Sequence, residues 1–157
     1  MTLSPLAYGL LALLAIALVT AMVTDIRARI IPNKLNAAVA LAAPLFWFAM
    51  GESLWPDVAI HLLCGVIVFA FFLLMFNFGL MQGGDVKLLV ALSLWLEWQQ
   101  VYNLILFSSL IGIGITLIFW ALHKIRKAEG QPEVPFGIAI ALAGLFIISE
   151  RYFNHFT

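Results

Sequence analysis

Six apolar segments make up most of this 157-residue chain, and few charged residues interrupt them. They cover residues 5–24, 35–50, 58–80, 85–96, 101–122 and 135–149. The hydrocarbon core of a bilayer is about 30 Å thick, and about 20 helical residues cross it. Charged residues make up only 10% of the chain, against about 25% in a soluble domain. The pattern predicts an all-α integral membrane protein of six transmembrane helices, in which residues 1–157 form a single domain.

The positions of the basic residues predict the orientation in the membrane. If the N-terminus lies outside, Arg151 is the only basic residue on the outer side. The inner loops then contain the other basic residues, which are Arg27, Arg29, Lys34, Lys87, Lys124, Arg126 and Lys127. Because cytoplasmic loops are enriched in Lys and Arg, this distribution favours an N-out, C-out arrangement.

The charge balance and the cysteine count exclude several kinds of partner and site. Lys plus Arg and Asp plus Glu each number 8, so no basic excess points to a nucleic acid. Cys64 is the only cysteine, which excludes an internal disulfide and a zinc site built on Cys-x-x-Cys pairs. No converging set of metal ligands is visible in the sequence. We therefore expect no metal and no organic cofactor, and the lipid bilayer is the partner that the composition predicts.

The fourth apolar segment is too short to cross a bilayer as a straight helix. Residues 85–96 number twelve, which gives a helical rise of about 18 Å. Gly83 and Gly84 precede the segment and permit a tight backbone turn. We therefore predict that a turn at Gly83–Gly84 dips into the membrane and places Asp85 at membrane depth, beside a wet cavity. An ionisable residue in such a place is by default a candidate functional residue.

Asp25 follows the first apolar segment and lies on the same inner side as Asp85 in this topology. Two close carboxylates share one proton, so one can act as general base and the other as general acid. The alternative is structural: Asp25 caps a helix or pairs with Arg27 or Arg29, and Asp85 pairs with Lys87. Lys87 itself could tune the carboxylate pair, bind substrate or anchor the chain at lipid headgroups.

Three short motifs resemble those of the type IV prepilin peptidases. In residues 24–33 an aspartate is followed, some residues later, by Ile-Pro-Asn. Residues 134–137 contain the Pro-Phe-Gly that opens the last span in that family. In residues 84–88, Gly-Asp is followed by a hydrophobic residue, Lys and Leu, as in the GxGD motif of the family. Gln82 is a departure, because it stands where that motif has its first glycine.

The resemblance implies that Asp25 and Asp85 are the catalytic pair of an aspartic endopeptidase, with Gly83 and Gly84 at the turn before Asp85. It implies cleavage of the basic leader peptide of a type IV prepilin or pseudopilin at the cytoplasmic face of a prokaryotic inner membrane. Longer family members carry an additional domain with paired Cys-x-x-Cys motifs and N-methyltransferase activity. The resemblance therefore implies a short, peptidase-only form without that zinc domain, similar to those of Flp-type (tight-adherence) pili.

Further residues match the family motifs without an assigned chemical role, namely Pro32, Asn33, Pro135 and Gly137. Two other functions stay open. In the first, a small transporter or channel component uses Asp25 and Asp85 as an ion or proton relay. In the second, the chain is a catalytically inactive pilus-assembly partner, for which Gln82 would be the evidence. The sequence does not say which aspartate is the general base.

Overall fold

A computed structural model describes residues 4–125 and 134–153, without the side chains of residues 152 and 153. Within these residues the chain is helical and contains no strand, as predicted. The helices are α1 (Pro5–Ala28), α2 (Asn33–Met50), α3 (Ala59–Asn77), α4 (Gly83–Ser93), α5 (Trp98–Ile125) and α6 (Phe136–Phe153). A short π-helical segment, Leu54–Val58, leads into α3.

Each predicted apolar segment corresponds to one helix, but the helices differ in their capacity to cross a bilayer. In the described residues, three stretches are long and apolar enough to do so, namely Pro5–Ala28, Leu54–Asn77 and Trp98–Ile125. The membrane character that the composition predicted therefore holds for these three helices. Six spans and the N-out, C-out orientation stay predictions.

The short helix α4 lies in the interior of the bundle, where α2, α3 and α6 pack around it. Its residues Leu88, Leu89 and Leu92 are almost completely buried. Beyond its C-terminal end, the indole N–H of Trp47 in α2 donates to the carbonyl oxygen of Leu94 at 2.7 Å. Partners of this kind satisfy carbonyl groups that a helix leaves unpaired at its end. Because neighbouring helices cover α4 and satisfy its end, it does not need the length of a lipid-exposed span.

The turn predicted at Gly83–Gly84 is wrong. These glycines are the first two residues of α4 and are helical. The chain turns earlier, over residues 78–82, where Gly79 has the left-handed φ of 72°. Gly79 is the residue whose backbone needs glycine in this loop, since side chains strongly disfavour that region.

Asp25 and Asp85 lie at the same end of the bundle, where α1 ends and α4 and α6 begin; we call it the aspartate end. A polar cluster occupies the far end. There His61 in α3 places Nε2 3.0 Å from Oε2 of Glu52 and Nδ1 3.0 Å from the carbonyl oxygen of Leu96. A carbonyl oxygen only accepts hydrogen bonds, so Nδ1 carries a hydrogen. The contact between Nε2 and Glu52 therefore needs one further proton, held by either group.

The contact between His61 and Glu52 predicts how the stability of the folded chain changes with pH. Burial raises the pKa of Glu52 above its ordinary 4.5, although His61 and Arg151 oppose that shift. The folded chain therefore holds the proton more tightly than the unfolded chain does. The resulting stability is complete below the ordinary carboxyl range and is lost as the pH rises through the folded-state pKa. We expect the unfolding temperature in detergent to fall over this range, and Glu52→Gln to flatten the dependence.

The matched control is Glu97→Gln at the same end. Glu97 has a 60% exposed side chain and lies 3.8 Å from Arg151, so its neutralisation should leave the pH dependence as in the wild type. Equal pH profiles for Glu52→Gln and the wild type would show that Glu52 does not hold the proton.

Candidate active site

Asp25 lies in the last turn of α1 and is 2% exposed. Its carboxylate lies against Gly137 in the first turn of α6, and its buried Oδ2 accepts no hydrogen bond from the described residues. The N-terminus of a helix attracts negative charge, because its free N–H groups and the helix dipole both point there. The positive end of the α6 dipole therefore lies next to a carboxylate that belongs to another helix.

Gly137 fits against Asp25 only because it has no side chain. A Cβ atom at this position would lie 2.7 Å from Oδ2 of Asp25 and 2.8 Å from Cδ1 of Ile31. Both distances are shorter than van der Waals contact allows. The sequence assigned no role to the Pro-Phe-Gly motif. The structure gives its glycine a packing role: because Gly137 has no side chain, the start of α6 can approach Asp25.

Asp85 lies in the first turn of α4 and is 3% exposed. Its N–H donates to the carbonyl oxygen of Gln82 at 3.1 Å, at the start of the helix. The preceding Gly84 packs on the chain between α1 and α2, since a Cβ atom there would lie 3.3 Å from Cβ of Ile31. At Gly83 the corresponding nearest atom is on Phe76, at an ordinary 3.4 Å. Gly84 is thus the more constrained of the two glycines.

The two aspartates, predicted as a pair, are brought together. Ile31 touches both sides of the site, next to Gly137 at Asp25 and next to Gly84 before Asp85. The two carboxylates are close enough to act on each other electrostatically. In the part of the chain that the structure describes, neither aspartate forms an ion pair within 4.0 Å.

The structural alternative, in which Asp85 pairs with Lys87, is therefore not found in the structure. Lys87 points to α2 instead, where its Nζ donates to Oδ1 of Asn33 at 2.8 Å. This bond joins the first residue of α2 to the second turn of α4 and gives a structural role to two motif residues. Whether Lys87 also contacts a substrate stays a prediction.

Asn36 is a site residue that the sequence analysis missed. It is 4% exposed, and its Nδ2 donates to the carbonyl oxygen of Gly84 at 3.1 Å. Together with the bond between Lys87 and Asn33, this contact holds α4 against α2 next to Asp85. One signal was available, because Asn36 follows Asn33 by three residues and therefore shares its helix face.

Arg29 lies directly after α1 and brings positive charge to the site. Its backbone is left-handed, with φ of 54°, and its N–H donates to the carbonyl oxygen of Asp25 at 3.0 Å. Its guanidinium lies 5.1 Å from the centre of the Phe119 ring in α5 and acts favourably on the Asp25 carboxylate. The stacking on Phe119 keeps this cation beside the aspartate pair.

A cavity of about 420 Å³ opens next to Asp85. The loop before α4, helix α5 and the start of α6 enclose it. Its lining consists of Gly79, Leu80, Met81, Gln82, Asp85, Thr116, Val134 and Phe136. The cavity is large enough to admit a peptide segment and water to one carboxylate of the pair. Within the ranges that the structure covers, no three His, Cys, Asp or Glu residues are placed to hold a metal ion.

Residues 12–117 match the type IV leader peptidase family, and this stretch contains both aspartates, Asn33 and Lys87. No solved structure matches the chain at a significant level.

Individual relatives agree with the family match. The chain is 31% identical over 153 residues to a prepilin leader peptidase/N-methyltransferase of Pectobacterium carotovorum subsp. carotovorum, covering 94% of this chain and 53% of the relative. It is 34% identical over 153 residues to the Aeromonas hydrophila protein of the same name, covering 92% of this chain and 50% of the relative. The chain thus spans about half the length of these curated relatives. Since the family match covers well over half of the chain, the chain belongs to the type IV leader peptidase family.

Proposed function

We propose that this chain is an aspartic endopeptidase that cleaves the leader peptide of type IV prepilins. The observation that carries the proposal is the meeting of Asp25 and Asp85, both buried, at one end of the bundle beside an open cavity. Membership of the type IV leader peptidase family supports the substrate class. The curated relatives, named prepilin leader peptidases/N-methyltransferases, support it as well. Cleavage of a membrane-embedded prepilin by the purified chain in liposomes is the direct test.

The surroundings of the two aspartates support different roles for them. Asp25 faces the N-terminus of α6, where Gly137 packs on its carboxylate, and a helix N-terminus attracts negative charge. Asp85 is buried, and Lys87, two residues further along α4, is bonded to Asn33. We therefore assign the general base to Asp25 and the general acid to Asp85.

The reaction then follows the two-carboxylate scheme. Asp25 takes a proton from water, and the water oxygen bonds to the carbonyl carbon of the scissile peptide. Asp85 gives its proton to the carbonyl oxygen, which forms a neutral diol. The carbon–nitrogen bond breaks as Asp25 gives its proton to the leaving nitrogen and Asp85 takes a proton from a hydroxyl of the diol, and the products are a carboxylic acid and an amine. In each step one carboxylate takes a proton and the other gives one, so both return to their starting protonation states at the end of the reaction.

The membrane arrangement that fits this function has six spans with both ends outside. Helices α2, α4 and α6 would lie among the three long apolar helices, and the aspartate end would face the cytoplasm. The basic residues Arg27, in the last turn of α1, and Arg29, directly after it, lie at this end, as the positive-inside rule favours. A prepilin or pseudopilin, of the Flp type, would present its leader there, and the residues 1–157 would act as one peptidase domain.

Cysteine labelling tests this orientation. In a Cys64→Ser background, Leu54→Cys at the far end should react with a membrane-impermeant maleimide in intact spheroplasts. Leu54 begins the apolar stretch Leu54–Asn77 and is 85% exposed in the structure, so neighbouring side chains do not block the reaction. Arg27→Cys, at the aspartate end, should react only after the membrane is opened. Labelling in the reverse order would contradict the N-out arrangement.

The two alternative functions are not favoured. A relay for ions or protons needs ionisable groups spread across the membrane, whereas Asp25 and Asp85 lie at one end of the helices. An inactive assembly partner does not require two carboxylates brought together beside a cavity. Gln82, the evidence offered for that alternative, lines the same cavity as Asp85.

A further inference from the structure

A second groove lies over α4, between α2 and α3. Both of these helices pack on α4, and they come together at the far end, where the rings of Trp47 and His61 are stacked 5.7 Å apart. Nearer the aspartate end an open groove of about 370 Å³ separates them. Its walls are mainly apolar and include Ala40 from α2, Phe69 from α3 and Val90 from α4.

This groove is separate from the cavity beside Asp85. Successive residues of an α-helix are rotated by about 100°, so Lys87, Val90 and Ala91, which line the groove, lie on the face of α4 opposite Asp85. Asp85 itself lines the cavity on the other side. A peptide held at Asp85 would have to pass around α4 to enter the groove. The groove therefore has room for a ligand other than the peptide that is cleaved.

The end of the groove nearest the aspartate end carries a positive charge. The exposed Lys87 donates one hydrogen bond, from Nζ to Oδ1 of Asn33 at 2.8 Å, which leaves two ammonium donors and the charge. In the described ranges, no carboxylate lies within 4.0 Å of this lysine. The carboxamide of Asn33 adds N–H donors, and α2 begins at this residue without a side-chain cap. Such a set of donors favours an anion with several acceptor oxygens.

We propose that this groove binds one anionic glycerophospholipid, with its phosphate at Lys87 and Asn33 and an acyl chain along the apolar walls. The polar groups lie at the first residue of α2, and the apolar walls follow over the next two turns. This order matches the headgroup and the tail of a lipid in the leaflet at the aspartate end. Anionic headgroups attract lysine, whereas the choline cation of a zwitterionic lipid would oppose the charge of Lys87.

Native mass spectrometry of the purified chain in detergent tests the proposal. The probes are phosphatidylglycerol and phosphatidylcholine with the same palmitoyl and oleoyl chains. The wild type should retain one phosphatidylglycerol, with a Kd at least about 10-fold lower than for phosphatidylcholine, because hydrogen bonds to a charged group are the stronger kind. Lys87→Gln should remove this preference. Ala37→Phe, in the wall of the groove, should weaken the binding of both lipids by filling the space of the acyl chain.

Two neighbouring residues provide matched controls. Lys34→Gln replaces an exposed lysine at the same end, and Ala38→Phe adds the same bulk to the adjacent exposed alanine, which lines a different crevice beside α1. Both variants should bind phosphatidylglycerol as the wild type does. Equal Kd values for the two lipids, or wild-type preference in Lys87→Gln, would overturn the proposal.

Photocrosslinking distinguishes a lipid from the hydrophobic helix of a substrate. In phosphatidylglycerol liposomes that also contain a prepilin, Ala37→benzoylphenylalanine should crosslink to lipid. Crosslinking to the prepilin would assign the groove to the substrate helix and overturn the proposal. These measurements record binding and not cleavage, so their outcome is independent of the proposed peptidase function.

Discussion

Replacing Asp25 or Asp85 with asparagine is expected to abolish prepilin cleavage while the protein still inserts and folds. Asparagine keeps the size of the side chain but can neither take a proton from water nor give one to the substrate. General acid–base catalysis is typically worth about 10²–10⁴-fold for each group, so each single variant should lose at least that much activity. The measurement is the rate of leader release from a membrane-embedded prepilin by purified protein in liposomes.

The control for this experiment is Asp57→Asn. Asp57 lies at the far end, where its Oδ2 accepts from the hydroxyl of Ser53 at 2.8 Å, and its loss should leave cleavage unchanged. Expression level and elution from a sizing column should be equal for all three variants. Wild-type cleavage by either Asp25→Asn or Asp85→Asn would remove that residue from the catalytic pair.

A graded glycine series should give the second largest effect. Gly137→Ala places a Cβ atom 2.7 Å from Oδ2 of Asp25, so either the carboxylate or the start of α6 must move. A misplacement of about 1 Å at a reacting group can cost about 10²-fold in rate. Gly84→Ala should cost less, because the nearest atom, on Ile31, is 3.3 Å away. Gly114→Ala should be neutral, since nothing lies within 4 Å of its added atom.

The three variants are measured side by side with one prepilin, together with their unfolding temperatures in detergent. The expected order of activity is Gly114→Ala, then Gly84→Ala, then Gly137→Ala. If Gly137→Ala cleaves at the wild-type rate, the close approach of α6 to Asp25 is not required for catalysis. If all three lose activity in proportion to stability, the effect is on the fold and not on the site.

The helical architecture was predictable because its signal is local. Each apolar segment of the sequence became one helix, and the shortest segment became the shortest helix, α4 (Gly83–Ser93). The length of an uninterrupted apolar run limits where a helix can lie, and charges and glycines mark where it ends. The bounds moved by several residues, as at α5 (Trp98–Ile125), because polar residues such as Lys124 extend a helix beyond its apolar part.

The turn at Gly83–Gly84 was mispredicted for an identifiable reason. Glycine serves both in turns, where it permits a positive φ, and in close contacts, where it has no side chain to clash. A sequence does not distinguish these uses. Gly84 serves the second, against Ile31, and the turn lies at Gly79 instead.

A helical membrane protein with two aspartates in recognisable motifs could be predicted from the sequence, because apolar run length and motif spacing are properties of neighbouring residues. The surroundings of those aspartates, in contrast, are visible only in the packed helices. Gly137, which packs on the Asp25 carboxylate, belongs to α6, and the amide that holds Gly84 comes from Asn36 in α2. These partners are far apart along the chain, and they meet because α1, α2, α4 and α6 bury their apolar faces against one another. The burial of apolar surface is a non-directional force. The position of each polar group therefore depends on how the helices pack, and not on the residues beside it in the sequence.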